Sequence, residues 1–124
     1  MYQGRCLCGA VQFELTSMPV RASHCCCRMC QRQHGAAFAT YVSADAATLV
    51  IADAAPLQWY WSSASVRRGF CKQCGSSLFW QDNQEPQGLI AIAMAAFDTA
   101  PEVKQIPFIY QDDRAPWCPL ASAD

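Results

Sequence analysis

The chain has 124 residues, a formal net charge of −1, and nine Lys+Arg against ten Asp+Glu. Apolar residues make up 52% of it and charged residues 15%, which suits one packed core and excludes a disordered polyelectrolyte. The charge balance argues against nucleic-acid and anionic-membrane partners, which draw on a basic surplus. The most apolar stretch, "GLIAIAMAAF" at 88–97, is too short to span a bilayer.

The first residues, "MYQGRCLCGA", lack the apolar run of a secretory signal, so a cytoplasmic location is expected. In "VQFEL" (11–15), Val11, Phe13 and Leu15 alternate with Gln12 and Glu14, the pattern of a half-buried strand. A helical turn is expected over 27–34. "FATYV" (38–42) and "LQWYW" (57–61) are rich in aromatic and β-branched residues and read as further strands. In "LIAIAMA" (89–95), Ile90, Ile92 and Met94 face one way and Ala91, Ala93 and Ala95 the other, as in a strand buried on both sides. A short helix is the alternative there, because Ala favours helices. Turn signals separate these runs at Met18-Pro19, Ala55-Pro56, 82–88 and 115–119. The pairs Arg28/Arg32 and Arg67/Arg68 are expected to be solvated surface charges. No repeat, low-complexity block or linker divides the chain. One mainly β domain over 1–124, built of several short strands, is the expectation.

Nine cysteines in a reducing compartment read as metal ligands before disulfides. They fall into Cys6-x-Cys8-Gly9, Cys25-Cys26-Cys27-x-x-Cys30, Cys71-x-x-Cys74-Gly75 and the solitary Cys118. Zinc–sulfur bonds of about 2.3 Å in a tetrahedron need ligand sulfurs about 3.7–3.8 Å apart. A tight turn closed by glycine supplies that spacing. Two such pairs, 6/8 and 71/74, stand in distant parts of the chain and can close one four-cysteine zinc site that staples the fold. Spacing alone leaves open which pairs close together. Buried apolar thiols for Cys6 and Cys8, and a redox dithiol for Cys71 and Cys74, are the alternatives.

If that quartet forms, Cys25, Cys27 and Cys30 remain as a local trio. Structural zinc sites are closed by four protein ligands, whereas catalytic ones keep a position for water or substrate. Three thiolates on a divalent ion leave about one negative charge, which suits hydrolysis poorly. The same centre favours an incoming sulfur as thiolate, so a sulfur-bearing substrate is expected. Alternation points Cys26 away from its neighbours, as a buried thiol, and a ligand role in place of one of them is the alternative. Cys118 reads as a packing residue beside Trp117, with a redox-sensitive thiol as the alternative. His24 and His34 flank the trio, and each is a candidate to orient a ligand, relay a proton or complete the coordination.

These residues resemble the glutathione-dependent formaldehyde-activating enzyme family, which also includes centromere protein V. The resemblance is carried by Gly4-x-Cys6-x-Cys8-Gly9-x-Val11, His24-Cys25-x-Cys27-x-x-Cys30, Gly35-Ala36-x-Phe38, Phe70-Cys71-x-x-Cys74-Gly75 and Trp117, in the family's order. It implies the β-tent fold, shared with a small zinc-binding accessory factor of Rab GTPases. It also implies a structural zinc on Cys6, Cys8, Cys71 and Cys74, and a catalytic zinc on Cys25, Cys27 and Cys30. The implied activity is that of a carbon–sulfur lyase joining formaldehyde and glutathione as S-hydroxymethylglutathione. Two positions depart from the family's pattern: His34 stands where a small polar residue is common, and Phe108 where many members have histidine. Arg28, Gln31 and Arg32 are the polar side chains nearest in sequence to grip a thiol substrate. A zinc-stapled β module that binds protein or nucleic acid without catalysis is the second reading.

Overall fold

The computed structural model describes residues 1–118, so the end of the expected domain and Pro119 of the 115–119 turn lie outside the described residues. Two sheets share one core. The smaller contains β1 (Tyr2–Arg5), β2 (Gln12–Leu15) and β5 (Leu49–Ile51), in that order and antiparallel. The larger contains β3 (Arg21–Cys25), β4 (Ala39–Asp45), β6 (Leu57–Trp61), β7 (Val66–Cys71), β8 (Ser77–Asp82), β9 (Leu89–Ala93) and β10 (Phe108–Ile109). Its spatial order is β10-β3-β4-β9-β8-β7-β6, antiparallel except where β10 runs parallel to β3. Among the described residues one α-helix, α1 (Arg28–His34), follows β3. The mainly β expectation holds.

Between the sheets, Phe13 of β2 meets Phe79 of β8 and Phe97 edge-on, with ring centroids 5.4 and 5.3 Å apart. Val11, Leu15, Val42, Leu78 and Ile92 complete the buried cluster. Burial of such side chains contributes roughly 1.5–3 kcal/mol each before entropy is subtracted. Gly4 lets β1 lie against this ring: a Cβ there would stand 2.6 Å from the Ala96 carbonyl oxygen and would overlap Phe13. That close approach is the physical reason for glycine at the start of the first cysteine motif.

The segment 57–61 forms a strand as expected, and 11–15 and 38–42 lie largely within β2 and β4. At 89–95 the structure corrects the expectation. All five residues of β9 are buried, but the strand stops at Ala93, and Met94–Ala96 turn as a 3₁₀ helix. The turn brings Phe97 to a bridge with Gly4 of the other sheet. Alanine's weak preference for strand lets tertiary packing take that segment. Among the described residues, no helix is long and apolar enough to cross a membrane.

Candidate metal centres and pocket

The two knuckles converge. Cys6 and Cys8 leave β1, while Cys71 ends β7, and Gly9 and Gly75 supply the positive φ values (82° and 80°) that each turn needs. Cys6 Sγ lies 3.7 Å from Cys8 Sγ, and Cys8 Sγ 3.8 Å from Cys71 Sγ. Both distances match the edge length that a tetrahedron of sulfurs would need around a zinc-sized ion. Cys6, Cys8, Cys71 and Cys74 form one group of mutually close ligand atoms, and Cys25, Cys27 and Cys30 form another. All nine cysteines are unbridged thiols.

Without a cation these sulfurs cannot all ionise together. In the quartet, hydrogen bonds from the Ser76 side chain and backbone hold Cys74 down to about 5. Cys8 is favoured by the Ala10 backbone but is pushed up to about 11 by desolvation and its sulfur neighbours. In the trio, hydrogen bonding between Cys30 and Cys25 lowers Cys25 and raises Cys30, so one proton serves two sulfurs. A divalent ion would displace such protons and satisfy every sulfur. Both donor sets therefore fit a thiophilic metal.

Local structure builds the trio. Cys27 is the N-cap of α1, and its Sγ accepts from the Cys30 N–H at 3.3 Å, which folds the C-x-x-C back on itself. Gly35, in the left-handed region, ends the helix as its N–H donates to the Gln31 carbonyl. Cys25 closes β3, one residue before the turn into α1. Cys26 is fully buried and lies outside the trio; burial, then the nearby Cys118, push its thiol up.

A pocket of about 460 Å³ opens over the trio. Arg21 and Ser23 line it with Cys25, because residues two apart on β3 share a face. One cross-strand row forms its wall: Arg21 pairs with Ser43, Ser43 with Ala91, Ala91 with Trp80, and Trp80 with Arg68. Small residues in the middle of the row give the pocket depth, and an arginine stands at each end. Ile109 and Tyr110 close the rim. Tyr110 has φ 57°, an uncommon value for a bulky residue and a mark of backbone held by its surroundings.

Arg68 corrects the surface expectation. Only 4% of it is exposed. Its guanidinium donates to Cys30 Sγ at 3.6 Å, to Gln33 Oε1 at 3.0 Å and to Ser62 Oγ at 3.2 Å. Burial pulls its pKa down, but the hydrogen bond to Cys30 and the nearby Cys30 charge outweigh this and raise it. Arg67, half-buried, stacks over Trp59 at 3.9 Å.

The other polar candidates stand elsewhere. Arg28 donates to the Gln31 side chain, and Gln31 is itself buried, donating to the Cys26 and Asp113 carbonyls. Neither they nor Arg32 line the pocket, and neither histidine does. His24 Nδ1 is 2.7 Å from Thr40 Oγ1, and its ring packs against Phe38 and Phe108 (centroids 5.1 and 4.6 Å). His34 Nε2 is 2.8 Å from the Tyr41 hydroxyl. Burial lowers both imidazole pKa values, helped at His34 by Arg68. Arg21 shares the face of Cys25 only because 21–25 is a strand, which the sequence reading did not identify. Arg68 carried no signal in the sequence either.

Residues 1–113 match the family model described as glutathione-dependent formaldehyde-activating enzyme. A Halomonas elongata protein provisionally named for that activity is 27% identical over 131 aligned positions, covering the whole of this chain and 83% of its own length. A crystal structure of a Rhodobacter sphaeroides protein superposes with a TM-score of 0.67 at 25% identity, over 86% of this chain and 98% of that one.

Proposed function

The chain belongs to the glutathione-dependent formaldehyde-activating enzyme family, and on that premise we propose that it is a zinc-dependent carbon–sulfur lyase acting on a glutathione-type thiol adduct. In the synthetic direction the thiol sulfur bonds to a carbonyl carbon and the thiol proton ends on the carbonyl oxygen; the reverse step breaks the carbon–sulfur bond. One observation carries the reading: three mutually close cysteine sulfurs form the floor of a pocket whose lining holds two arginines and, among the described residues, no acid.

Cys6, Cys8, Cys71 and Cys74 hold a structural zinc and Cys25, Cys27 and Cys30 a catalytic one. Zinc held by these three thiolates would favour an incoming sulfur as thiolate. Around it, this chain's residues bind and orient. Arg21, exposed at one end of the row, meets a substrate carboxylate. Trp80 and Tyr41 shape the wall. Tyr41 is 6% exposed, and burial raises its pKa, so it stays a phenol. With neutral His34 behind it, Tyr41 can pass a proton toward or from the carbonyl oxygen. His24 orients the end of β3 through Thr40 and Phe108. In this chain the aromatic face of Phe108 fills the position opposite His24.

Metal analysis tests the reading directly. The wild type is expected to hold two zinc ions per chain, and Cys27→Ser one, with the fold kept and exchange of formaldehyde onto glutathione lost. A single zinc in the wild type would remove the basis for catalysis.

A further inference from the structure

Arg68 presents an electrostatic problem that the family assignment does not answer. A buried guanidinium costs several kcal/mol unless it is paired. Among the described residues none of its hydrogen-bond acceptors is a carboxylate: they are Ser62 Oγ, Gln33 Oε1 and Cys30 Sγ. Serine and glutamine satisfy its N–H groups but leave its charge uncompensated. The remaining source of negative charge on its list of partners is sulfur.

The charges complement each other. Three thiolates and a divalent ion leave one negative charge, and one guanidinium cancels it. We propose that Arg68 is a charge-balancing and positioning residue of the trio, held against Cys30 so that the loaded centre is neutral and admits a second anion from the pocket. The inference rests on the proposed metal site but not on the identity of the thiol substrate. Its geometry is enforced from two elements. Gln33 reaches Arg68 from α1 and Ser62 from the end of the β6–β7 hairpin, so the guanidinium cannot swing toward solvent. Arg68 also lines the pocket, on the side from which an anion would approach. Without it, an anion would meet a centre of its own sign across a poorly screened distance.

The test uses the full chain loaded with cobalt(II), whose thiolate charge-transfer bands report on the sulfurs. Azide serves as a small anion unrelated to substrate, and glutathione as the thiol. In Arg68→Met, azide and glutathione are each expected to bind about tenfold more weakly. The charge-transfer band should also move to lower energy, because a sulfur that loses a donor holds its electrons less tightly. Arg68→Lys, which keeps the charge though not the three-way hydrogen bonding, should stay within about threefold of wild type for both anions. Two cobalt ions per chain in each variant establish that the centres are intact.

Equal azide affinity in wild type and Arg68→Met would overturn the proposal. So would an Arg68→Lys variant that loads two ions yet binds azide about tenfold more weakly than wild type, a comparison that stands even if Arg68→Met does not fold. Azide entry that depends on Arg68, without any glutathione entry, would sink the thiol-lyase reading and leave the role of Arg68 standing. If neither anion perturbs the wild-type spectrum, both fall.

Discussion

His34 Nε2 and the Tyr41 hydroxyl stand 2.8 Å apart, and only Tyr41 of the pair reaches the pocket. A histidine outside the cavity is thereby linked to it through one phenol. Tyr41→Phe keeps the edge-on packing against the His34 ring, with centroids 5.5 Å apart, and removes the link. Turnover is expected to fall by about a hundredfold with little change in KM, and metal content should stay at two ions. Steady-state kinetics with metal analysis checks this. Wild-type turnover in the phenylalanine variant would exclude the pair from proton transfer.

Arg21 is exposed, so its contribution to binding is screened and modest. Arg21→Gln is expected to raise KM for glutathione about fivefold while leaving kcat intact. A short uncharged thiol such as 2-mercaptoethanol should be unaffected. A uniform change for both thiols would mean that Arg21 does not read a carboxylate.

Cys71 is fully buried at the end of β7, and its sulfur stands 3.8 Å from that of Cys8 across 63 residues of sequence. Cys71→Ser replaces a good zinc ligand with a poor one in the proposed site that would tie β1 to the β7–β8 hairpin. Thermal unfolding should shift down by more than about 10 °C, reflecting a loss on the order of 5 kcal/mol or more. Chelation of the wild type should reproduce that shift, while Cys27→Ser should not. Calorimetry on the three samples decides it.

Acid should destabilise the fold partly through His34. Its pKa is lowered from 6.5 by burial and then by Arg68, so the unfolded chain takes up a proton at a higher pH than the folded one. Stability therefore falls as pH drops below about 6.5, and this contribution levels off below the folded value. One such group contributes a slope of at most about 1.4 kcal/mol per pH unit. Denaturant midpoints measured from pH 7 to pH 5 should decline less in His34→Gln than in wild type. Identical declines would show that another group carries the effect.

Much of this protein could be read from residue order alone. Cysteine pairs closed by glycine specify metal knuckles because sulfur spacing and backbone conformation are local properties, and Gly9 and Gly75 adopt the positive φ expected of them. Alternating apolar residues marked β2, and aromatic and β-branched residues marked β4 and β6, for the same reason. β3 was not legible as a strand, since Arg21, Ser23 and His24 give "RASHC" no apolar face; its polar face lines a pocket instead of solvent. Nor was the role of Arg68, because "VRRGFC" reads as surface charge until β6, β8 and α1 bury one arginine and leave its neighbour stacked on Trp59. Ligand chemistry is written in short spacings along the chain. Which charge is removed from water, and which sulfur must balance it, is settled by strands distant in sequence coming together.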